Sequence, residues 1–162
     1  MSFKHHKRAP AFFQKLMPAG GPGRFDTQFD AYYYCLMCGL DRRRLGTEVD
    51  VGEEFVKDYV QTYQPYADLI AGLLVDAELV RISIPLDDVK SVEKKMVDLL
   101  EPISTSKLKP EGLALLNRYA AGGFEVISDA FATPPQSLEE FFTTYQGLWP
   151  QVEEQAVRDG SR

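Results

Sequence analysis

Residues 27–44, TQFDAYYYCLMCGLDRRR, and residues 66–80, YADLIAGLLVDAELV, decide the fold class. In the first, Phe29, Tyr32, Tyr33, Leu36, Met37 and Leu40 recur at three- and four-residue steps, the spacing that lines one face of an α-helix. Asp26 or Thr27 supplies an N-cap, and Gly46 a stop. The Tyr32-Tyr33-Tyr34 run has strand propensity of its own, but the length and period of its surroundings favour a helix over about 27–44. In the second stretch, Leu69, Ile70, Leu73, Leu74 and Ala77 make a strongly apolar helix, expected to be central.

Working outward, Asp50 reads as the N-cap of a helical segment in which Phe55, Tyr59, Val60 and Tyr63 share a face until Pro65 interrupts it. Strand competes with helix only at Arg81–Pro85. Pro85 is read instead as the opening of the next helix, with Asp87 and Asp88 in its first turn and Leu86, Val89, Val92, Met96, Leu99 and Leu100 at helical spacing. A further helix runs from about Pro110 to Ala121, and Gly122-Gly123 marks a kink before Phe124, Val126, Ile127 and Phe131. Thr133-Pro134-Pro135 then breaks the chain, and Ser137 with Glu140 fits a capping box for a helix over 138–148. These segments predict an all-α fold, an irregular bundle of about six helices with short Pro/Gly connections.

The chain has 162 residues, a size for one domain, and area scaling lets it bury roughly 70% of its unfolded surface without disulfides or metals. Its net charge of −6 hides an asymmetry: residues 1–24 carry five Lys/Arg and no Asp/Glu, whereas the remainder carries thirteen basic and twenty-four acidic side chains. Residues 1–24 are therefore read as a basic, partly apolar arm and linker, and residues 25–162 as a single helical domain. Deleting the arm is expected to leave the fold intact and to cost an interaction. The most apolar window, Leu69–Val75, is bracketed by Asp68 and Asp76, too short to span a membrane. Ala9–Met17 is interrupted by Pro10, Gln14 and Lys15 and does not read as a secretory leader. Two cysteines three residues apart offer no disulfide framework, so a cytoplasmic location is expected.

Cys35 and Cys38 form the most recognisable motif, since two thiols at i, i+3 lie on the same side of a helix and can chelate a metal or pair. A zinc site wants four ligands, and the histidines available, His5 and His6, are adjacent, so their side chains diverge. Both thiols are read as small core residues. With both histidines on the arm there is no Ser/His/Asp set. The acidic pairs Glu53-Glu54, Asp87-Asp88, Glu139-Glu140 and Glu153-Glu154 read as solvated helix starts or exposed faces, and Asp76 and Glu78 as the polar edge of their helix. Gly20-Gly21-Pro22-Gly23 lacks the lysine and the strand–helix context of a phosphate loop and reads as a joint.

Arg42-Arg43-Arg44 sits at a helix C-terminus, where the dipole favours positive charge, and three consecutive side chains cannot all face one way. Aromatic residues make up 12% of the chain and come in adjacent groups. Neighbours on a helix differ by about 100°, so some must leave the core and face outward, as at protein interfaces. The expected function is thus a non-catalytic helical subunit or adaptor that docks into a larger protein assembly, with Phe12, Phe13, Leu16, Tyr34 and Trp149 as the partner-binding residues and no cofactor. An alternative is an accessory nucleic-acid-binding factor within a complex, contacting phosphates through Lys4, Lys7, Arg8, Lys15, Arg24, Arg42, Arg43 and Arg44. A second alternative is a small metal or thiol protein using Cys35 and Cys38.

Overall fold

The computed structural model describes residues 2–19 and 21–150. Their order is β1 (Phe3–His6), α1 (Ala9–Phe12), α2 (Gln28–Asp41), β2 (Val51–Val56), α3 (Ala67–Arg81), α4 (Val89–Leu99), α5 (Pro110–Asp129) and α6 (Leu138–Gly147). The fold is mostly helical, with six α-helices among the described residues, but it is not purely all-α. β1 and β2 pair antiparallel in a two-stranded sheet with an irregular register.

The helix expected over 50–63 is therefore replaced by a strand, a turn and a loop. What holds Val51–Val56 extended is its pairing with Phe3–His6, far upstream in sequence. A Cβ at Gly52 would stand 2.9 Å from the Lys7 Cα, so the two strands approach as only glycine allows. Tyr59 and Tyr63 still reach the core, but from irregular chain.

Helix starts follow local chemistry closely. At α2 the Asp30 carboxylate accepts from the Thr27 backbone N–H at 2.9 Å. At α6 the Ser137 hydroxyl accepts from the Glu140 N–H at 3.2 Å, and Glu140 reaches back to the Gln136 N–H at 2.9 Å. α4 starts later than expected, at Val89, because the Asp88 carboxylate accepts from the Ser91 N–H and Oγ and so caps the helix from outside. α2 ends earlier than Gly46. Arg43 takes a left-handed conformation at φ 50°, the Arg44 N–H donates to the Gly39 carbonyl at 2.9 Å, and the Arg43 N–H donates to that of Leu40 at 3.2 Å.

α2 and α5 make the most extensive contact in the fold. They touch at the backbone where Cys35 and Gly39 of α2 face Tyr119 and Gly123 of α5, and beyond α2 the Gly46 N–H donates to the Arg118 carbonyl at 2.8 Å. α5 runs as one continuous helix through Gly122-Gly123 and does not end there. The glycines are there for a different reason: a Cβ on Gly123 would overlap the Cys35 carbonyl, one on Gly122 that of Arg44, and one on Gly39 that of Tyr119. Helices in backbone contact leave no room between them for side chains, so the apolar residues fill two cores. The first gathers Phe3, Phe29, Tyr32, Leu36, Ile70, Leu74, Leu116 and Tyr119, and the second Phe13, Leu16, Phe25, Cys35, Cys38, Phe124, Ile127 and Phe141. Adjacent aromatics on α2 thus need not face solvent: Tyr32 enters the first core while Tyr34 packs with Phe141 and Tyr145 beside the second.

The N-terminal segment is built into both cores. Phe3, Phe13 and Leu16 have no exposed surface, and β1 packs on α5. Glu78 departs from its expected place on a polar edge. It is 1% exposed, takes two hydrogen bonds from the Arg81 guanidinium at 2.8 and 2.9 Å, and accepts one from the Tyr119 hydroxyl at 2.7 Å. Asp76, two residues earlier, is exposed and pairs with Arg43. No helix among the described residues is long and apolar enough to cross a membrane.

Candidate functional site

Chemistry-bearing side chains converge where the end of β1 meets the start of β2 and the middle of α5. Consecutive strand residues point to opposite faces, so His5 and His6 separate. His5 stacks on Phe55 at 4.0 Å, and His6 lies over Phe124 at 4.5 Å. Both are buried. Burial lowers the His5 pKa to about 4 and also depresses that of His6, with Arg8 adding to the second effect.

Around His6 stand Asp50 and Glu125, whose carboxylates and the imidazole offer ligand atoms within 4.8 Å of one another. Lys7 pairs with Asp50 at 3.2 Å, Arg44 pairs with Glu125 at 2.9 Å, and the Arg8 guanidinium lies 5.6 Å above the Phe124 ring. His6 Nδ1 accepts a hydrogen bond from the Arg8 backbone N–H at 3.0 Å, so that nitrogen is bare and Nε2 carries the proton. Nε2 faces Glu125 at 3.9 Å. A metal on Nε2 would need that proton removed, leaving an imidazolate, while both carboxylates already hold cations. The donor set fits a neutral, proton-bearing imidazole better than a metal ligand.

Beside this knot, a cleft of about 570 Å³ is lined by His5, His6, Lys7, Pro10, Gln28 and the run Gly52–Phe55. Smaller cavities lie by Asn117, at about 270 Å³, and between α2 and α3, at about 250 Å³, the second lined by Met37, Leu73 and Trp149 among others.

The residues expected from sequence are distributed unevenly. Lys7, Arg8 and Arg44 come together around His6. Arg42 donates to the Leu148 carbonyl at 2.6 Å and Arg43 to Asp76, so the arginine triplet diverges into three separate contacts. Lys15 bonds Gln136, Arg24 reaches the Met17 carbonyl, and Lys4 contributes its backbone to β1. Phe13 and Leu16 are interior and unavailable to a partner in this conformation, because the turn that carries them folds against Phe124 and Phe141. Phe12, Tyr34 and Trp149 are half-buried against other aromatics. Cys35 and Cys38 are free thiols inside the second core, apart from both histidines, and burial pushes both pKa values up. Of the paired acids, Glu53-Glu54, Asp87-Asp88 and Glu139-Glu140 are exposed as expected, and Glu153-Glu154 lie outside the described residues.

Asn117 was missed by sequence reasoning. Nothing in a lone asparagine within an apolar helix signals a role, yet its Oδ1 accepts from the Lys4 N–H at 3.0 Å and the Tyr32 hydroxyl at 2.9 Å while Nδ2 donates to the Ser2 carbonyl at 2.9 Å. No known family model, curated protein or solved structure matches this chain.

Proposed function

We propose that this chain is a non-catalytic subunit that docks into a larger protein assembly. The observation that carries the reading is a set of exposed aliphatic side chains along the end of α3, the connection after it and α4. Val80, Leu86, Val89 and Val97 are each more than half exposed there, with Ile82 and Met96 beside them. α4 has an amphipathic sequence, yet Leu99 is its only fully buried residue. An apolar helix face left in water costs solvation free energy that a partner's surface recovers. On this reading the docking surface is the aliphatic residues of 80–97 in place of the N-terminal aromatics.

The nucleic-acid alternative has less support, because a phosphate would first have to displace Asp50 from Lys7 and Glu125 from Arg44. The test is affinity purification from the native host of the unaltered chain and of a Leu86→Asp/Val89→Asp variant, followed by light scattering. Both positions are exposed, so circular dichroism of the two should match. The reading expects one partner at fixed stoichiometry with the unaltered chain and a monomer with the variant. Monomers in both cases overturn it.

A further inference from the structure

We infer that the outer edge of β2 is a docking strand for an extended, lysine- or arginine-bearing segment of a partner protein. The two strands of the sheet differ in how their outer edges are treated. β1 has β2 on one side and the Asn117 side chain on the other, where the amide bonds the Lys4 N–H and the Ser2 carbonyl as a neighbouring strand would. β2 has β1 on one side, and among the described residues no hydrogen bond reaches the backbone of Gly52–Val56 from the other. An open strand edge is a ready template for one more strand.

Charge decides which strand fits. Glu53 and Glu54 are both exposed. Adjacent strand residues point to opposite faces, so neither face is covered there and the backbone between them meets solvent. Neither carboxylate has an ion-pair partner among the described residues, whereas Asp50, at the head of the strand, is matched by Lys7. A second copy of β2 laid alongside would add carboxylates to carboxylates on each face. A basic strand instead supplies the missing countercharges. The cleft of about 570 Å³ that spans both strands, lined by His5–Lys7 as well as by Gly52–Phe55, leaves open space beside Glu53 and Glu54, with the stacked Phe55–His5 pair in its wall. A strand of six residues takes a segment of similar length. This site is distinct from the apolar surface of 80–97, and either can fail alone.

The test titrates the full, ¹⁵N-labelled chain with an eight-residue peptide carrying an adjacent pair of lysines at its centre and threonine elsewhere, so that each face of the added strand presents one countercharge. Parallel titrations use a glutamate counterpart and two versions N-methylated at the odd or at the even residues. The expected result is a saturable shift of the Gly52–Val56 amides with the lysine peptide and none with the glutamate peptide. Affinity should fall at least about tenfold in Glu53→Lys/Glu54→Lys, and one of the two methylated versions should fail. The variant's spectrum outside β2 should be unchanged, which separates lost binding from lost fold. Absence of saturation by about 1 mM peptide, shifts centred away from β2, or equal binding by both methylated peptides would each overturn the inference.

Discussion

Gly123 and Cys35 meet backbone to backbone: a Cβ on Gly123 would overlap the Cys35 carbonyl oxygen, and Gly39 stands in the same relation to Tyr119. The neighbour in each case is backbone and cannot rotate away, so α2 and α5 must separate to admit a methyl group. Gly123→Ala and Gly39→Ala should each cost about 3 kcal/mol or more. Gly72 is a useful control, since it lies inside α3 with nothing within 4 Å of an added Cβ. Gly72→Ala should stabilise by about 0.5–1 kcal/mol. Ser83, at φ 59° after α3, should gain a similar amount as Ser83→Gly. Denaturant midpoints of the four variants check all of this.

The N-terminal segment should prove inseparable from the fold. Truncation of residues 1–24 removes Phe3, Phe13 and Leu16, each without exposed surface, together with one strand of the sheet. Loss of three large buried side chains costs several kcal/mol, comparable with the whole stability of a domain this size. The truncated chain should lose its cooperative thermal transition. A transition retained within about 5 °C of the full chain would mean that the segment is an appendage after all.

Asn117 joins β1, α2 and α5 through one amide. Asn117→Leu keeps the size but orphans the Lys4 N–H, the Ser2 carbonyl and the Tyr32 hydroxyl, which should cost about 2–4 kcal/mol, whereas Tyr32→Phe leaves Asn117 its other partners and should cost about 1 kcal/mol. Hydrogen exchange at the Lys4 amide should accelerate in Asn117→Leu and stay slow in Tyr32→Phe.

Stability should fall as pH drops from 6.5 toward 4. His5 is neutral when folded down to about pH 4 and titrates at its ordinary 6.5 when unfolded. Between those values the unfolded chain binds more protons, so acid favours unfolding, by up to about 3 kcal/mol from this residue. His6 acts in the same direction, since its pKa is also lowered on folding. Burial alone would raise the Glu78 pKa, but Arg81 and Tyr119 outweigh it and hold it below the usual 4.5. Its contribution is therefore present above pH 4.5 and is lost below it, as pH falls through the folded value. His5 Nε2 has no hydrogen-bond partner, so His5→Phe removes a titrating group without breaking a bond to that nitrogen. Denaturant midpoints at pH 4.5 and 7.5 should lie closer together in His5→Phe than in the unaltered chain.

Both thiols should be slow toward a disulfide reagent in the native state and react fully in denaturant, because burial keeps them protonated and out of reach. Fast native reaction of either one would contradict its place in the second core.

What was legible in the sequence was local. The capping residues Thr27 and Ser137 and the three- and four-residue spacing in α2, α3 and α5 act within a few residues of themselves, and those helices stand where they were expected. Divergence of the adjacent histidines was legible for the same reason, whereas the arginine triplet diverges because it forms the turn beyond α2, with Arg43 left-handed, and not because of helix geometry. β2 was not legible. Its six residues alternate poorly, and their extended form depends on Phe3–His6, which no short window of sequence can see. The candidate site shares that limit: His6, Asp50 and Glu125 lie on three elements, and only the meeting of those elements makes them neighbours.

By itself the sequence determined a mostly helical chain, the start of most helices, and the residues able to enter a core. Tertiary structure decided that Gly122-Gly123 is where the α5 backbone touches the chain of α2 and its C-terminal turn, that a basic N-terminal stretch is core, and that Glu78 is buried while Asp76 is not. In each case the cause is the backbone contact of α2 with α5 and the layers packed around it. Helix periodicity specifies which side chains share a face. What that face meets depends on residues far away in the chain, and the energy of that meeting overrides the local reading.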